Sequence, residues 1–179
     1  FSIEVPTLPA GHVTLRPVAL SDAAAIDHGA SNYDVSKMTT SISHPVRDGA
    51  TEAFLEGVIG PGRSEMVWAM VWADRPLDEI LGLISLEKHA EEDAEIGYWI
   101  APENWGQGVA SAAVQALVRW NPLECSSYFG SCFVDNPASA RVMSKAGFVE
   151  MGQGSSFSVA RNADVATRQF VCRLQPQTD

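Results

Sequence analysis

At 179 residues, 46% hydrophobic and 19% charged, the chain is the size of one domain with a substantial core, and no apolar run approaches the roughly 20 residues that cross a bilayer. The first residues, Phe1-Ser2-Ile3-Glu4-Val5-Pro6, carry no basic stretch leading into an apolar one, so the expectation is a cytoplasmic protein with no membrane partner. Twelve basic against 22 acidic residues give a net charge of −10, which argues against a nucleic-acid partner and suits a cationic one such as an amine.

Residues 14–17 read as a short first strand. Ser21, with Asp22 behind it, is a predicted N-cap for a helix reaching Ala30. Residues 31–47 are polar and irregular. A second helix is expected over 49–59, with Phe54, Leu55 and Val58 on one face and Pro61-Gly62 as its stop. Two apolar runs, 66–73 and 80–87, flank a polar link and read as an antiparallel hairpin. The acidic run Glu91-Glu92-Asp93 turns the chain into a strand over 95–100. A third helix, 108–120, carries one charge, Arg119, so most of its surface should be covered. A strand over 128–134, a helix over 137–145 capped by Gly147, and a last pair of strands at 155–159 and 167–174 complete the chain. Cys125, Cys132 and Cys172 are odd in number and lack Cys-x-x-Cys spacing, which reads as reduced thiols and not as a zinc site. The count is about seven strands and four helices, a single domain over 1–179. Hairpins on both sides of one strand–helix–strand crossover make an α+β (α/β) fold, mostly antiparallel, with 95–100 and 128–134 as its one parallel pair.

The most informative stretch is 95–110. An apolar strand ends at Pro102, and Gly106 and Gly108 then open the third helix. Glycines let the backbone approach an anion, and the first N–H groups of a helix have no partner within it. A diphosphate is the usual occupant of such a turn. A dinucleotide-binding Gly-x-Gly-x-x-Gly pattern fails at Ser111, and no Gly-Lys-Ser/Thr follows for a Walker loop.

Three segments together carry a resemblance: Thr14-Leu15-Arg16-Pro17 followed by Ser21-Asp22-Ala23; Trp105-Gly106-Gln107-Gly108-Val109-Ala110; and Asn136-Pro137-Ala138-Ser139 leading to Lys145-Ala146-Gly147-Phe148. In this order they resemble the GNAT superfamily of N-acetyltransferases, nearest the branch containing the ribosomal-protein alanine N-acetyltransferases, from about residue 13 to 174. The resemblance implies a three-layer fold in which the parallel pair splays and the pantetheine arm of acetyl-CoA enters the gap. It implies that Trp105, Gly106, Gln107, Gly108, Val109, Ala110 and Ser111 hold the pyrophosphate and that Asn136 contacts the arm. Asn136 also reads as an N-cap before Pro137.

The chain departs from the family where it bears on mechanism. The position that carries a proton-donating Tyr in many members is Met143. Ser139 is the remaining hydroxyl in that motif, a candidate hydrogen-bond donor to the thioester sulfur. Glu95 is the candidate base. Strand alternation puts it on one face with Gly97 and Trp99, and an apolar tryptophan beside a carboxylate would raise its pKa. Glu87 is the reserve and His44 a further option. The expected activity is direct acetyl transfer from acetyl-CoA to a primary amine, on a protein N-terminus or a small molecule, with residues 32–59 and the final hairpin lining the acceptor pocket. The alternative is a non-catalytic acyl-CoA-binding protein of the same fold. The apolar final hairpin also leaves a homodimer open.

Overall fold

A computed structural model describes residues 3–176. Eight strands form one sheet in the order β1-β2-β3-β4-β5-β6-β8-β7. They are β1 (Leu8–Ala10), β2 (Val13–Pro17), β3 (Glu65–Trp72), β4 (Gly82–Lys88), β5 (Asp93–Ile100), β6 (Ser127–Phe133), β7 (Val149–Ser158) and β8 (Ala163–Arg173). The sheet thus has one strand more than the predicted seven. The extra one is β1, where Pro9 masks the strand pattern; an edge strand tolerates a residue that cannot donate to the ladder. The earlier strand of the final hairpin, β7, begins at Val149 and not near 155. Its first six residues hold two glycines and no apolar alternation, so only pairing with β8 reveals them as strand.

Alternation along the central strands sorts their side chains to two faces. Met66, Trp68 and Met70 of β3 and Ile84 and Leu86 of β4 face a core shared with α4 (Val109–Trp120) and α5 (Pro137–Lys145). Val67, Ala69 and Leu83 face the opposite layer, α1 (Ala23–Ala30) and α3 (Ala50–Ile59), through Ile26, Leu55 and Val58. Between those helices, the stretch expected to be irregular includes a four-residue helix, α2 (Tyr33–Ser36), capped by Asn32 Oδ1 on the Asp34 N–H at 2.8 Å.

The cap of α1 differs from the expectation. A 3-10 turn, Leu20–Asp22, precedes the helix; Asp22, not Ser21, occupies the N-cap position, and its carboxylate turns back to cap the 3-10 turn instead of bonding to α1. Asp22 accepts the Ala19 N–H at 2.8 Å and a bidentate pair from Arg16 at 2.8 and 2.9 Å. These bonds to Arg16 and Ala19 hold the carboxyl below its usual range against the opposing pull of desolvation, the largest single influence on it.

One feature of the topology positions the site. β5 and β6 are parallel, but their register covers only Asp93–Glu95 against Ser127–Phe129. Beyond Glu95 and Phe129 the strands diverge, opening a wedge in the sheet. Tyr128 donates to the Leu117 carbonyl at 3.1 Å, tying the end of α4 to β6 at the closed end of the wedge.

Candidate active site

The wedge opens into a cleft of about 1600 Å³. One end is the turn from Trp105 to Gly108, exposed throughout. Gly106 and Gly108 have φ of 73° and 74°, left-handed values that strain any residue with a Cβ. A Cβ at Gly106 would meet no atom within 4 Å, so it would project into open space in front of the turn. Trp105 Nε1 donates to the Ile100 carbonyl at 2.8 Å, and the Gln107 carbonyl lies 3.0 Å from His12 Nε2. These bonds fold the turn back on the end of β5 and on the β1–β2 corner. The first helical bond of α4 runs from the Ala112 N–H to the Gly108 carbonyl at 3.1 Å. The N–H groups of Val109, Ala110 and Ser111 therefore precede the ladder, at the positive end of a twelve-residue helix. Arg141 and Lys145 of α5 border the same cleft. Charge, free backbone donors and clearance at the turn all fit a diphosphate.

Midway along the wedge stands the start of α5. Asn136 Oδ1 accepts the Ser139 N–H at 3.2 Å, so the capping role holds in the structure. Ser139 Oγ lies 2.6 Å from the phenolic oxygen of Tyr98 on β5, a bond that spans the two walls where backbone pairing has ceased. Burial, partly offset by that bond, pushes the Tyr98 phenol up to about 12. Met143, at the position of the missing tyrosine, is only 1% exposed. A Cβ at Gly130 would come within 3.1 Å of its sulfur, so Met143 fills the floor of the wedge at the point of closest approach to β6. Cys132 borders the same space, and burial raises its thiol.

The closed end of the wedge is acidic. The register pairs Glu65 with Glu87 and Glu87 with Glu95, placing three carboxylates abreast on adjacent strands. Burial and the Glu87 charge raise the Glu65 carboxyl, and a Ser85 hydrogen bond offsets part of that shift. Glu95 does not lie in the apolar setting that alternation predicts. Its side chain is 39% exposed and sits 3.0 Å from His89 Nε2, which is 3.6 Å from Glu87. Trp99, meanwhile, packs with the α1–α3 layer. The ligand atoms of Glu87, His89 and Glu95 lie within 4.8 Å of one another, close enough for one cation to bridge them. Neither His89 nor Glu65 is marked in the sequence, because the strand register alone assembles them. His44 stacks on Tyr33 with ring centroids 5.1 Å apart.

Residues from the 38–54 stretch also line the cleft, including Met38, Ile42 and Phe54. The final hairpin braces that stretch from behind. The Val159 N–H bonds to the Thr40 carbonyl at 3.1 Å. Arg161 donates to the Lys37 carbonyl at 2.7 Å and to both oxygens of Asp135 at 2.7 and 3.0 Å.

Among the described residues, no helix is long and apolar enough to cross a membrane. The acetyltransferase (GNAT) domain model matches residues 12–149. The ribosomal-protein-serine acetyltransferase of Escherichia coli K12 is 38% identical over 79 residues, a segment covering 42% of this chain and 44% of that protein. The chain thus matches less than half the length of this relative. Among solved structures, a GNAT-family acetyltransferase from Bacillus anthracis superposes with a TM-score of 0.79 at 20% identity, covering 94% of this chain and 98% of that one. The ribosomal L7/L12 acetyltransferase RimL, solved with coenzyme A, superposes at 0.78 and 19% identity with the same coverages. The wedge, the glycine turn and the matched domain model agree: this chain belongs to the GNAT acetyltransferases.

Proposed function

We propose that the protein transfers an acetyl group directly from acetyl-CoA to a primary amine. The observation that carries this reading is that one cleft joins a built anion site, the splayed β5–β6 wedge and a row of carboxylates. The pyrophosphate rests on the Trp105–Ser111 turn, and the pantetheine arm runs down the wedge past Asn136. The thioester then reaches the level of Ser139 and the amine enters over Glu95.

Each protein group has a limited task, because a thioester is already activated. Glu95 removes a proton from the ammonium, directly or through water, and His89 at 3.0 Å offers that proton a route outward. The free amine attacks the carbonyl carbon, its nitrogen gives its surplus proton to solvent, and the C–S bond breaks. Its electron pair stays on sulfur, where Ser139 Oγ supplies a hydrogen bond. Three neighbouring carboxylates across strands spaced about 4.8 Å apart favour an acceptor with more than one positive charge. A protein N-terminus next to a basic residue and a polyamine both meet that description.

A thiol-release assay with acetyl-CoA tests the proposal against a panel of amines: N-terminal peptides, amino acids, polyamines and aminoglycosides. Turnover with the cationic members is the expected result. CoA binding without thiol release across the panel would favour a non-catalytic acyl-CoA binder.

A further inference from the structure

Ser139 is a weak acid and a mobile hydroxyl, and nothing in the α5 motif orients its proton. The group that reaches it comes from the opposite wall of the wedge. Tyr98 projects from β5, after pairing with β6 has ended, and its phenol lies 2.6 Å from Ser139 Oγ and 3.3 Å from the Ser139 carbonyl oxygen. Both side chains border the cleft, with Met143 beneath them closing its floor.

We propose that Tyr98 is the positioning residue for the leaving thiolate: its phenol donates to Ser139 Oγ and so turns the serine proton toward the sulfur. This inference rests on the acetyl-transfer reading and on the place that reading gives Ser139.

Two roles are open to a phenol in this position, and acidity separates them. With the phenol pushed up to about 12 by burial, above the range of an alkyl thiol, passing its proton through Ser139 to the departing thiolate is unfavourable. Tyr98 therefore keeps its proton throughout the reaction. A phenol that never ionises near neutrality is a permanent donor, and a hydroxyl with its acceptor side occupied has its own proton free for a second acceptor. When the C–S bond breaks, the electron pair settles on sulfur against that proton. No proton crosses the Tyr98–Ser139 bond, and the proton that completes the thiol comes from solvent. The pair thus stands in for the donor lost at Met143 by stabilising the thiolate instead of protonating it.

The test is a double-mutant cycle. Tyr98→Phe keeps the ring, and Ser139→Ala removes the group through which Tyr98 acts. Calorimetry with CoA and a melting curve establish that each variant is folded. The expected result is a roughly tenfold fall in kcat for Tyr98→Phe with CoA affinity within about threefold of the parent, a similar or larger fall for Ser139→Ala, and no further loss in the double variant. A role in packing alone would give losses that multiply, or would weaken CoA binding with kcat intact.

A second measurement uses CoA alone. The bound thiol, followed by thiolate absorbance, should titrate below free CoA in the parent protein and return to one common, higher value in both single variants. Multiplying losses, or a Tyr98→Phe enzyme with unchanged kcat and unchanged thiol titration while Ser139→Ala is slow, would overturn the role of Tyr98 and leave the acetyl-transfer reading standing. An unimpaired Ser139→Ala enzyme would overturn Tyr98 and the serine's role together. Absence of acetyl transfer by the parent would remove the broader reading first.

Discussion

The residues of the acidic end do two kinds of work that pH and substitution can separate. If Glu95 takes the ammonium proton, Glu95→Gln should retain CoA binding and lose roughly 10²–10⁴-fold in turnover, the span expected when a general base is removed. The acidic limb of its pH–rate profile should move or vanish. An unchanged rate and profile at saturating amine would shift the role to Glu87 or to solvent. Glu65 behaves differently. Its folded-state pKa is raised, first by burial and then by Glu87. A raised carboxyl contributes stability below its unfolded pKa, and that contribution is lost as pH rises through the folded value. As pH rises above the unfolded pKa, the shifted carboxyl therefore costs stability. Glu65→Gln should raise the melting temperature at pH 7, and the gain should disappear by about pH 4, below both pKa values. The same variant should raise KM for cationic acceptors. A variant equally stable and equally active at pH 7 would detach Glu65 from the acceptor end.

Among the elements, the turn into α4 carries the sharpest constraint. Gly106 is left-handed and open in front, whereas Gly108 is left-handed with the His12 ring 3.7 Å from where a Cβ would sit. Substituting Gly108 would thus mix backbone strain with contact on His12. Gly106→Ala is the cleaner probe, since its Cβ meets no atom of the protein within 4 Å. The strain costs about 1 kcal/mol in the fold, and CoA affinity should fall by roughly tenfold or more, about 1.4 kcal/mol. Calorimetry with CoA checks it, and unchanged affinity in a folded variant would remove the turn from the site. The α5 start is shaped by two demands on one residue. Asn136 caps the helix through the Ser139 N–H, and that cap holds Ser139 at the height where Tyr98 meets it.

At the scale of the whole molecule, the sheet is nearly two sheets. Strands β1 to β5 and the β6-β8-β7 group share only three register pairs, at the closed end of the wedge. Further hold comes from the helices on the α4–α5 side, from the Tyr98–Ser139 bond and from the bonds of the last hairpin to Lys37 and Thr40. A ligand lying in the wedge would touch both groups and should stabilise the fold markedly. At 100 times its Kd, CoA should contribute about 2.7 kcal/mol, which raises the melting temperature of a chain this size by about 5–10 °C. Scanning calorimetry with CoA, ATP and NAD at matched concentration is the check. A shift with NAD and none with CoA would assign the turn to a different ligand class.

How much of this was legible in the chain depends on the range of the interactions involved. The strand–glycine–helix turn, α4 and α5 with its Asn136 cap were readable because each is set by neighbours within a few residues: positive φ at glycine, the missing donor at Pro137, and apolar spacing; the parallel pairing of β5 with β6 followed from the single helical crossover between them. The edge strand β1 and the first half of β7 were not, because Pro9 and the glycines of 149–154 suppress the local pattern that pairing restores. The role first given to Ser21 went to Asp22 because Arg16, six residues earlier, reaches the carboxylate across a turn. The site divides the same way. The amino-acid sequence by itself determined the glycine turn into α4, the start of α5 that carries Ser139 and the absence of a tyrosine at Met143. Only the tertiary structure decided that Glu65, Glu87 and Glu95 stand abreast, that His89 and not Trp99 is the neighbour of Glu95, and that Tyr98 meets Ser139. Those contacts depend on strand register and on where two strands part, and both are settled by packing the whole sheet at once.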